Sequence, residues 1–330
     1  MRTLVAMATQ TALTGLQPSG ELHLGNLIAA IEPLVELQEK NECLLLVVDL
    51  HAMTVPYDPH ELRDRTRELV RIYLAAGVDP DKCLFFLQSQ VPQHTELAWI
   101  LATQLPMAEL ERMTQYKEKA EQHKKLGVGL FTYPVLMAAD ILIYGADIVP
   151  VGQDQVQHVE LARVAARKFN KAFGETFKLP KAQLTESARV IGLDGKGKMS
   201  KSLGNTLPIL ATTEEVRKKI RKAVVNPERP KAHEGKQPIT VFEWHDAQFD
   251  TATTKTLSKQ CHIENRNCEA YKELVAKNIS AYLAPLQKRY EQIVAKGDDW
   301  LLRLLNANAQ EARKRAEITM EKVRVKTGLR

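Results

Sequence analysis

The chain has 330 residues, 44% of them hydrophobic and 26% charged, enough for a sizeable core and for two domains or one large domain with an appendage. A formal net charge of +6 fits an anionic partner without demanding one. The longest apolar run, Cys43 to Val48, is strand-sized and falls well short of a membrane span, so no membrane partner is expected.

The opening stretch, Met1 to Ala12, is too broken for a secretory signal and reads as a frayed extension. Leu13 to Gln17 then reads as a strand. The spacing of Leu27, Ile28, Ile31, Leu34, Val35 and Leu37 predicts a helix from about Gly25 to Lys40. Leu44 to Leu50 is a continuous apolar strand, as in a parallel sheet covered on both faces. Asp58-Pro59 opens a helix that runs to Ala76, with Gly77 just past its end. Cys83 to Leu87 is a third strand, helices fill His94 to Tyr144, and Ile148 to Val151 is a fourth strand. Gln155 to Phe169 is helical and Arg189 to Leu193 a further short strand. This alternation predicts an α/β fold with a doubly wound parallel sheet (Rossmann-like) over residues 1–193. From about Gly204 the pattern is almost wholly helical, so residues 194–330 read as a C-terminal helical domain, with 226–238, rich in proline and charge, as a loop.

The four cysteines do not form a zinc or disulfide framework on this reading. Cys43 and Cys83 lie in apolar runs, and Cys261 and Cys268 are a lone pair without further ligands, which implies a reducing cytoplasm. Basic residues gather in Arg217, Lys218, Lys219, Arg221, Lys222, Arg229, Lys231 and Lys236, and again in Arg313, Lys314, Arg315, Lys322, Arg324, Lys326 and Arg330. Such clusters fit either a nucleic-acid footprint or an ordinary solvated helix face.

Two motifs carry chemistry. Gly15-Leu-Gln-Pro-Ser-Gly20, continued by Glu21-Leu-His-Leu-Gly-Asn26, joins the first strand to its helix, where glycines let backbone approach a nucleotide and a helix N-terminus favours phosphate. Lys198-Met-Ser-Lys-Ser202, set among Gly195, Gly197 and Gly204, offers two lysines to a triphosphate. Either segment alone is also an ordinary turn or surface loop; their order and their separation by about one α/β domain favour the nucleotide reading.

With both motifs in place, the chain resembles the class I aminoacyl-tRNA synthetases. His23-Leu-Gly-Asn26 is similar to their first signature, and Lys198 to Ser202 matches their second. The resemblance narrows to the bacterial-type tryptophanyl-tRNA synthetases through Asp49-Leu-His-Ala52, Glu109-Leu-Glu-Arg-Met-Thr114, Thr132-Tyr-Pro134, Leu136-Met-Ala-Ala-Asp-Ile-Leu142 and Asp147-Ile-Val-Pro-Val-Gly152, and covers essentially the whole chain. Three positions depart from the family pattern. Asn26 stands where many class I enzymes have histidine, Gln153 where glutamate is usual, and Leu203-Gly204 where Asp-Pro is frequent.

The resemblance implies activation of L-tryptophan by ATP, with Mg2+ arriving on the nucleotide and no tightly bound cofactor or dedicated metal cage. Transfer to tRNA(Trp) follows. It implies that Gln17, Pro18, Ser19, Gly25, Asn26, Gly152, Gln153, Asp154, Ile191, Lys198, Met199, Ser200, Lys201 and Ser202 surround ATP, with Lys198, Lys201 and Gln17 closest to the chemistry. Asp140, on a strongly apolar helix where an unpaired carboxylate is costly, would accept the indole N–H; a salt bridge to an arginine is the other reading. Tyr133 and Gln155 would hold the α-amino group, and Met137, Val149 and Val151 would line the indole slot or simply pack. His51 is expected to support the amino-acid pocket, and His158 to be structural. Residues 1–193 would then be the catalytic domain. Residues 194–330 would carry the lysine loop and the tRNA- and anticodon-binding helices, with the last helix packing back. The resemblance also implies a cytoplasmic homodimer, which the apolar segment Trp99 to Met113, with Ile100, Leu101, Leu105, Met107 and Leu110, supports. Two rivals share this architecture: a tyrosyl-tRNA synthetase, and a small-molecule nucleotidylyltransferase or ligase of related fold.

Overall fold

The computed structural model describes residues 10–18, 20–113, 127–184, 190–200, 203–227 and 238–330. The chain opens with β1 (Thr11–Leu16) and turns into α1 (Leu24–Asn26), a π-helical turn (Leu27–Ile31) and α2 (Glu32–Leu37), one continuous helical path. The wide turn has a local cause. Pro33 has no N–H to return to Ala29, and ahead of it the backbone loosens so that Glu32 N reaches Leu27 O, five residues back. Next come β2 (Glu42–Val47), α3 (Asp49–Ala52), α4 (Pro59–Ala76) and β3 (Cys83–Leu87). Asp58 caps α4 by accepting from His60 N and Glu61 N at 2.9 Å, and Gly77 ends it with φ +116°, a left-handed conformation that suits glycine.

A 3-10 turn (Gln88–Gln90) leads from β3 into α5 (Gln93–Ala102), followed by α6 (Met107–Glu111) and α7 (Val128–Ile143). After β4 (Ile148–Val151), a 3-10 turn (Gln153–Gln155) runs into α8 (Val156–Phe173) and then β5 (Lys181–Leu184). The remainder is helical: α9 (Thr213–Lys222), α10 (Val241–Gln248), α11 (Ala252–His262), α12 (Cys268–Ala295) and α13 (Gly297–Thr327).

The five strands are parallel in the order β3-β2-β1-β4-β5. The alternation of a strand sorts its side chains between two cores. From β2, Cys43, Leu45 and Val47 enter the core that packs α4, α9 and α12, while Leu44 and Leu46 enter the core formed with α5, α7 and α8. The α/β parallel sheet expected from the sequence is therefore the architecture found. Helix α13 contributes to both cores, Leu301 and Leu305 to the first and Ala309, Ala312, Ala316, Met320 and Val323 to the second. It also covers the open edge of the sheet, where Asn308 Nδ2 donates to Phe85 O at 3.0 Å.

Three sequence expectations need correction. Leu50 is helical rather than part of a strand, because Asp49 turns the chain and takes the Leu50 N–H at 3.1 Å. The last strand of the sheet is Lys181–Leu184; Val190 and Ile191 instead form isolated bridges to Ile239 and Lys198, and Arg189 lies outside the described residues. Cys261 and Cys268 form a disulfide, whereas Cys43 and Cys83 are free and buried as expected. The pairing follows from the turn between α11 and α12, where Asn265 and Asn267 adopt positive φ and the two cysteine Cα atoms come within 4.6 Å. Most of the loop expected over 226–238 lies outside the described residues. No helix among them is long and apolar enough to cross a membrane.

Candidate active site

In an open α/β sheet the crevice opens at the carboxyl ends of the strands where strand order reverses, here between β1 and β4. A cavity of about 330 Å³ occupies that point. Its walls are Leu13, Thr14 and Gly15 of β1, Leu46 of β2, Val149, Pro150 and Val151 of β4, and Tyr133, Met137, Asp140 and Ile141 of α7, with Gln17, Val48, His51, Thr54, Gly152 and Gln155 completing it. The volume suits one small molecule with an apolar body. All six residues expected around the amino acid (Asp140, Tyr133, Gln155, Met137, Val149 and Val151) line this one cavity, and two expected around ATP, Gln17 and Gly152, stand there too.

Among the described residues, no arginine pairs with Asp140. Its carboxylate receives His51 Nε2 at 2.9 Å, Gln88 Nε2 at 2.9 and 2.8 Å, and a short bond from His94 Nδ1. The second nitrogen of His94 meets Tyr144 Oη at 2.8 Å. Burial alone would push this carboxyl up, but its hydrogen bonds with His51 and His94 outweigh it and hold the group below the ordinary carboxylate range. Asp140 is therefore an anion, an acceptor on both oxygens. Gln88 must turn its amide nitrogen toward that anion, and its Oε1 is left buried without a hydrogen-bond partner among the described residues. Neither Gln88 nor His94 was legible as a site residue: each is 46 or more positions from Asp140 and lies in no motif.

Tyr133 Oη lies 2.7 Å from His158 Nε2. Burial, then the charge of Asp154, pushes the phenol up to about 12, so it keeps its proton at neutral pH. His158 thus supports Tyr133, a more definite part than the sequence suggested.

The two glycine-rich motifs meet, and the first also reaches the cavity through Gly15 and Gln17. His23 N donates to Asn26 Oδ1 at 3.1 Å, and Leu24 N to Leu207 O at 2.8 Å. A Cβ on Gly25 would stand 3.1 Å from His23 Nδ1 and 3.4 Å from Met199 Sδ, so the glycine lets the first motif close on the second. The lysine loop starts as a small hairpin, with Ile191 bridged to Lys198, Gly192 N donating to Gly197 O at 2.9 Å, and Asn205 Oδ1 taking Ser200 N at 2.8 Å. Lys198 is exposed and Met199 buried. Burial, then the Lys198 charge, holds His23 below its usual value. Pro18 is buried; Gln153, Asp154 and Gln155 form one exposed-to-half-buried turn in which Gln155 Nε2 donates to Asp154 Oδ2 at 2.9 Å. Ser19, Lys201 and Ser202 lie outside the described residues.

The basic clusters divide. In the tail, Arg313 binds Gln90 O, Arg315 pairs with Glu42 at 2.6 Å, Arg324 with Glu96 at 2.6 Å, and Lys326 donates to Glu175 O at 2.6 Å, so these cations hold α13 to the sheet half. On α9, Lys219 donates to Thr206 O at 2.9 Å and Arg221 pairs with Glu273 at 3.5 Å. Lys218 and Lys222 line an open cavity of about 460 Å³ with Asp194, Asn205 and Glu215.

A nucleotide-type crevice and a lysine hairpin on this sheet order define a class of protein, and comparison identifies it: residues 8–285 match the family of class I tRNA synthetases (W and Y), and the chain belongs to that family. Within it, the chain is 43% identical over 322 residues to the tryptophan–tRNA ligase of Deinococcus radiodurans, covering 96% of this chain and 97% of that one. It is 39% identical over 329 residues to the Helicobacter pylori (strain 26695) tryptophan–tRNA ligase, at 98% and 100% coverage. Among solved structures, the tryptophanyl-tRNA synthetase of Campylobacter jejuni complexed with ADP and tryptophan superposes with a TM-score of 0.86 at 38% identity, covering 97% of this chain and all of that one.

Proposed function

We propose that this chain is a tryptophan–tRNA ligase, which joins L-tryptophan to ATP as tryptophanyl-adenylate with release of pyrophosphate and then transfers tryptophan to tRNA(Trp). The single observation that carries the choice of amino acid is Asp140, an anion in the wall of an otherwise largely apolar cavity sized for one amino acid. An indole N–H brings that acceptor a further donor on its cavity side, whereas a phenyl ring brings none. Tyr133 and Gln155 then meet the α-amino group, and Met137, Val149 and Val151 pack the ring.

The tryptophan carboxylate needs no general base to attack the α-phosphate, so the protein contributes position and charge. Gln17, Pro18, Ser19, Gly25, Asn26, Gly152, Gln153, Asp154 and Ile191 cradle ATP, and the loop from Lys198 to Ser202 closes over its phosphates. Magnesium would arrive with ATP and offset the charge of its phosphates. Residues 1–193 form the catalytic domain, and residues 194–330 supply the lysine loop and the tRNA-contacting helices. Lys218 and Lys222 are the α9 cations best disposed toward tRNA phosphate, since Lys219 and Arg221 already serve the fold.

The family resemblance, and no longer the cysteines, supports a cytoplasmic enzyme that works as a homodimer. Of the segment 99–113, Ile100, Leu101, Leu110 and Met113 are buried in the monomer, so support for a partner copy narrows to Trp99 and Met107, 74% and 63% exposed. A light-scattering mass near that of one chain at micromolar concentration overturns the dimer. ATP–pyrophosphate exchange with each standard amino acid tests the main reading: exchange with tryptophan alone supports it, and exchange driven by tyrosine selects the sister activity of the family.

A further inference from the structure

Asp140 is approached from two sides. His51 lines the cavity with it, whereas Gln88 and His94, both fully buried, reach the carboxylate without lining the cavity. A carboxylate has about four lone-pair directions. Gln88 Nε2 bridges both oxygens at 2.9 and 2.8 Å, His94 Nδ1 takes a second position on Oδ1, and His51 Nε2, on the cavity side, takes a second position on Oδ2 at 2.9 Å. Tyr144 fixes His94 in turn, because a tyrosine O–H donated to Nε2 leaves the proton on Nδ1, where it faces Asp140.

The segment that carries these two supports is itself fastened on its outer side. Gln90 Nε2 donates to Asn306 Oδ1 at 2.7 Å and Gln93 Nε2 to Glu317 Oε2 at 3.0 Å, both on α13. Residues 88–94 thus form a brace between the C-terminal helix and the carboxylate.

We propose that Gln88 and His94 are positioning residues for amino-acid specificity: together they immobilise the Asp140 carboxylate from behind, so that the acceptor direction facing the cavity, held by His51 at 2.9 Å, is the one a ring N–H shares or takes over. The proposal rests on the reading that Asp140 receives the indole N–H of tryptophan. A freely rotating carboxylate accepts from water or from other donors and discriminates poorly; a braced one rewards only a donor at the right place.

The test compares two substrates in ATP–pyrophosphate exchange with the full chain: L-tryptophan and β-(3-benzothienyl)-L-alanine, in which sulfur replaces the ring N–H. The readout is the ratio of their kcat/KM values. In Gln88→Met and His94→Leu this ratio falls by about 10- to 100-fold through loss for tryptophan, with little change for the analogue or in the KM for ATP. His94→Asn, whose amide nitrogen replaces Nδ1, restores most of the ratio.

An equal fall for both substrates shows that the two side chains only support the fold, and overturns the proposal. If Asp140→Asn collapses the ratio while the Gln88 and His94 variants keep it, the brace is wrong and the tryptophan reading stands. If Asp140→Asn leaves the ratio at the wild-type value, the reading of Asp140 fails and the proposal with it. Should the larger substitutions prevent folding, Tyr144→Phe deletes one oxygen and frees His94 Nε2; an unchanged ratio there overturns the role of His94.

Discussion

His51 Nε2 donates to Asp140 Oδ2 at 2.9 Å, so the first helix turn after β2 and the last turn of α7 are joined through the wall of the cavity itself. On the proposed reading, an indole N–H would meet a hydrogen-bonded group there and not an isolated charge. Asp140→Ala removes the acceptor of three buried or nearly buried donors as well as the substrate's. Tryptophan specificity should fall by about 2–3 kcal/mol, the worth of a hydrogen bond to a charged group. Discrimination against phenylalanine should shrink in parallel, read from kcat/KM for the two amino acids. Unchanged kinetics for both make Asp140 purely structural.

The same carboxylate makes stability pH-dependent. Folding lowers its pKa below the ordinary 3.8, so near and below that value the unfolded chain binds more protons than the folded one. Its contribution is complete above that value and is lost as pH falls through it toward the lower folded value. Urea unfolding between about pH 6 and pH 3 should therefore show a steeper acid loss in the wild type than in Asp140→Asn. Parallel profiles count against an ionised Asp140.

Lys198 and Lys201 should act in the transition state. Negative charge grows on the departing pyrophosphate, so lysines held there stabilise the transition state more than bound ATP. Lys198→Ala and Lys201→Ala should each lower kcat for activation by roughly 10²-fold, with tryptophan binding nearly unchanged. A rise confined to the KM for ATP makes the loop a ground-state clamp instead.

Charge reversal at Lys218 and Lys222 should weaken tRNA binding and flatten its dependence on salt, while activation without tRNA survives. Filter-binding titrations over a salt series supply both quantities. If affinity is untouched, the contact surface lies elsewhere.

Arg324 is 7% exposed and bridges Glu96 of α5 and Glu317 of α13. Arg324→Met should destabilise the fold by about 1–3 kcal/mol, less than a fully buried pair because both carboxylates reach solvent. The urea midpoint measures it, and a wild-type midpoint rules out the clamp.

What the sequence revealed depended on how local the cause is. Helix α4 was legible at both ends because Asp58, Pro59 and Gly77 act on their own turn of backbone. The strand Lys181–Leu184 was not, since as an edge strand it exposes most of its side chains and carries no apolar period. Asp140 stood out because a charge on an apolar helix demands a partner, yet the identity of those partners is a tertiary fact. Gln88 and His94 look like any polar residues beside a strand until the fold brings α5 against α7. The Cys261–Cys268 bond was hidden for a similar reason: seven residues of separation say nothing until two left-handed asparagines fold the turn back.

The brace from Gln88 to His94 also bears on how such a sequence can drift. Its residues serve two neighbours, Gln88 and His94 facing the carboxylate and Gln90 and Gln93 facing α13. A replacement on the outer side is thus felt on the inner one, and a change in α13 at Asn306 or Glu317 reaches the cavity without touching it. Positions about 220 residues apart are tied into one inherited unit, to be exchanged together or kept together when segments are swapped between relatives.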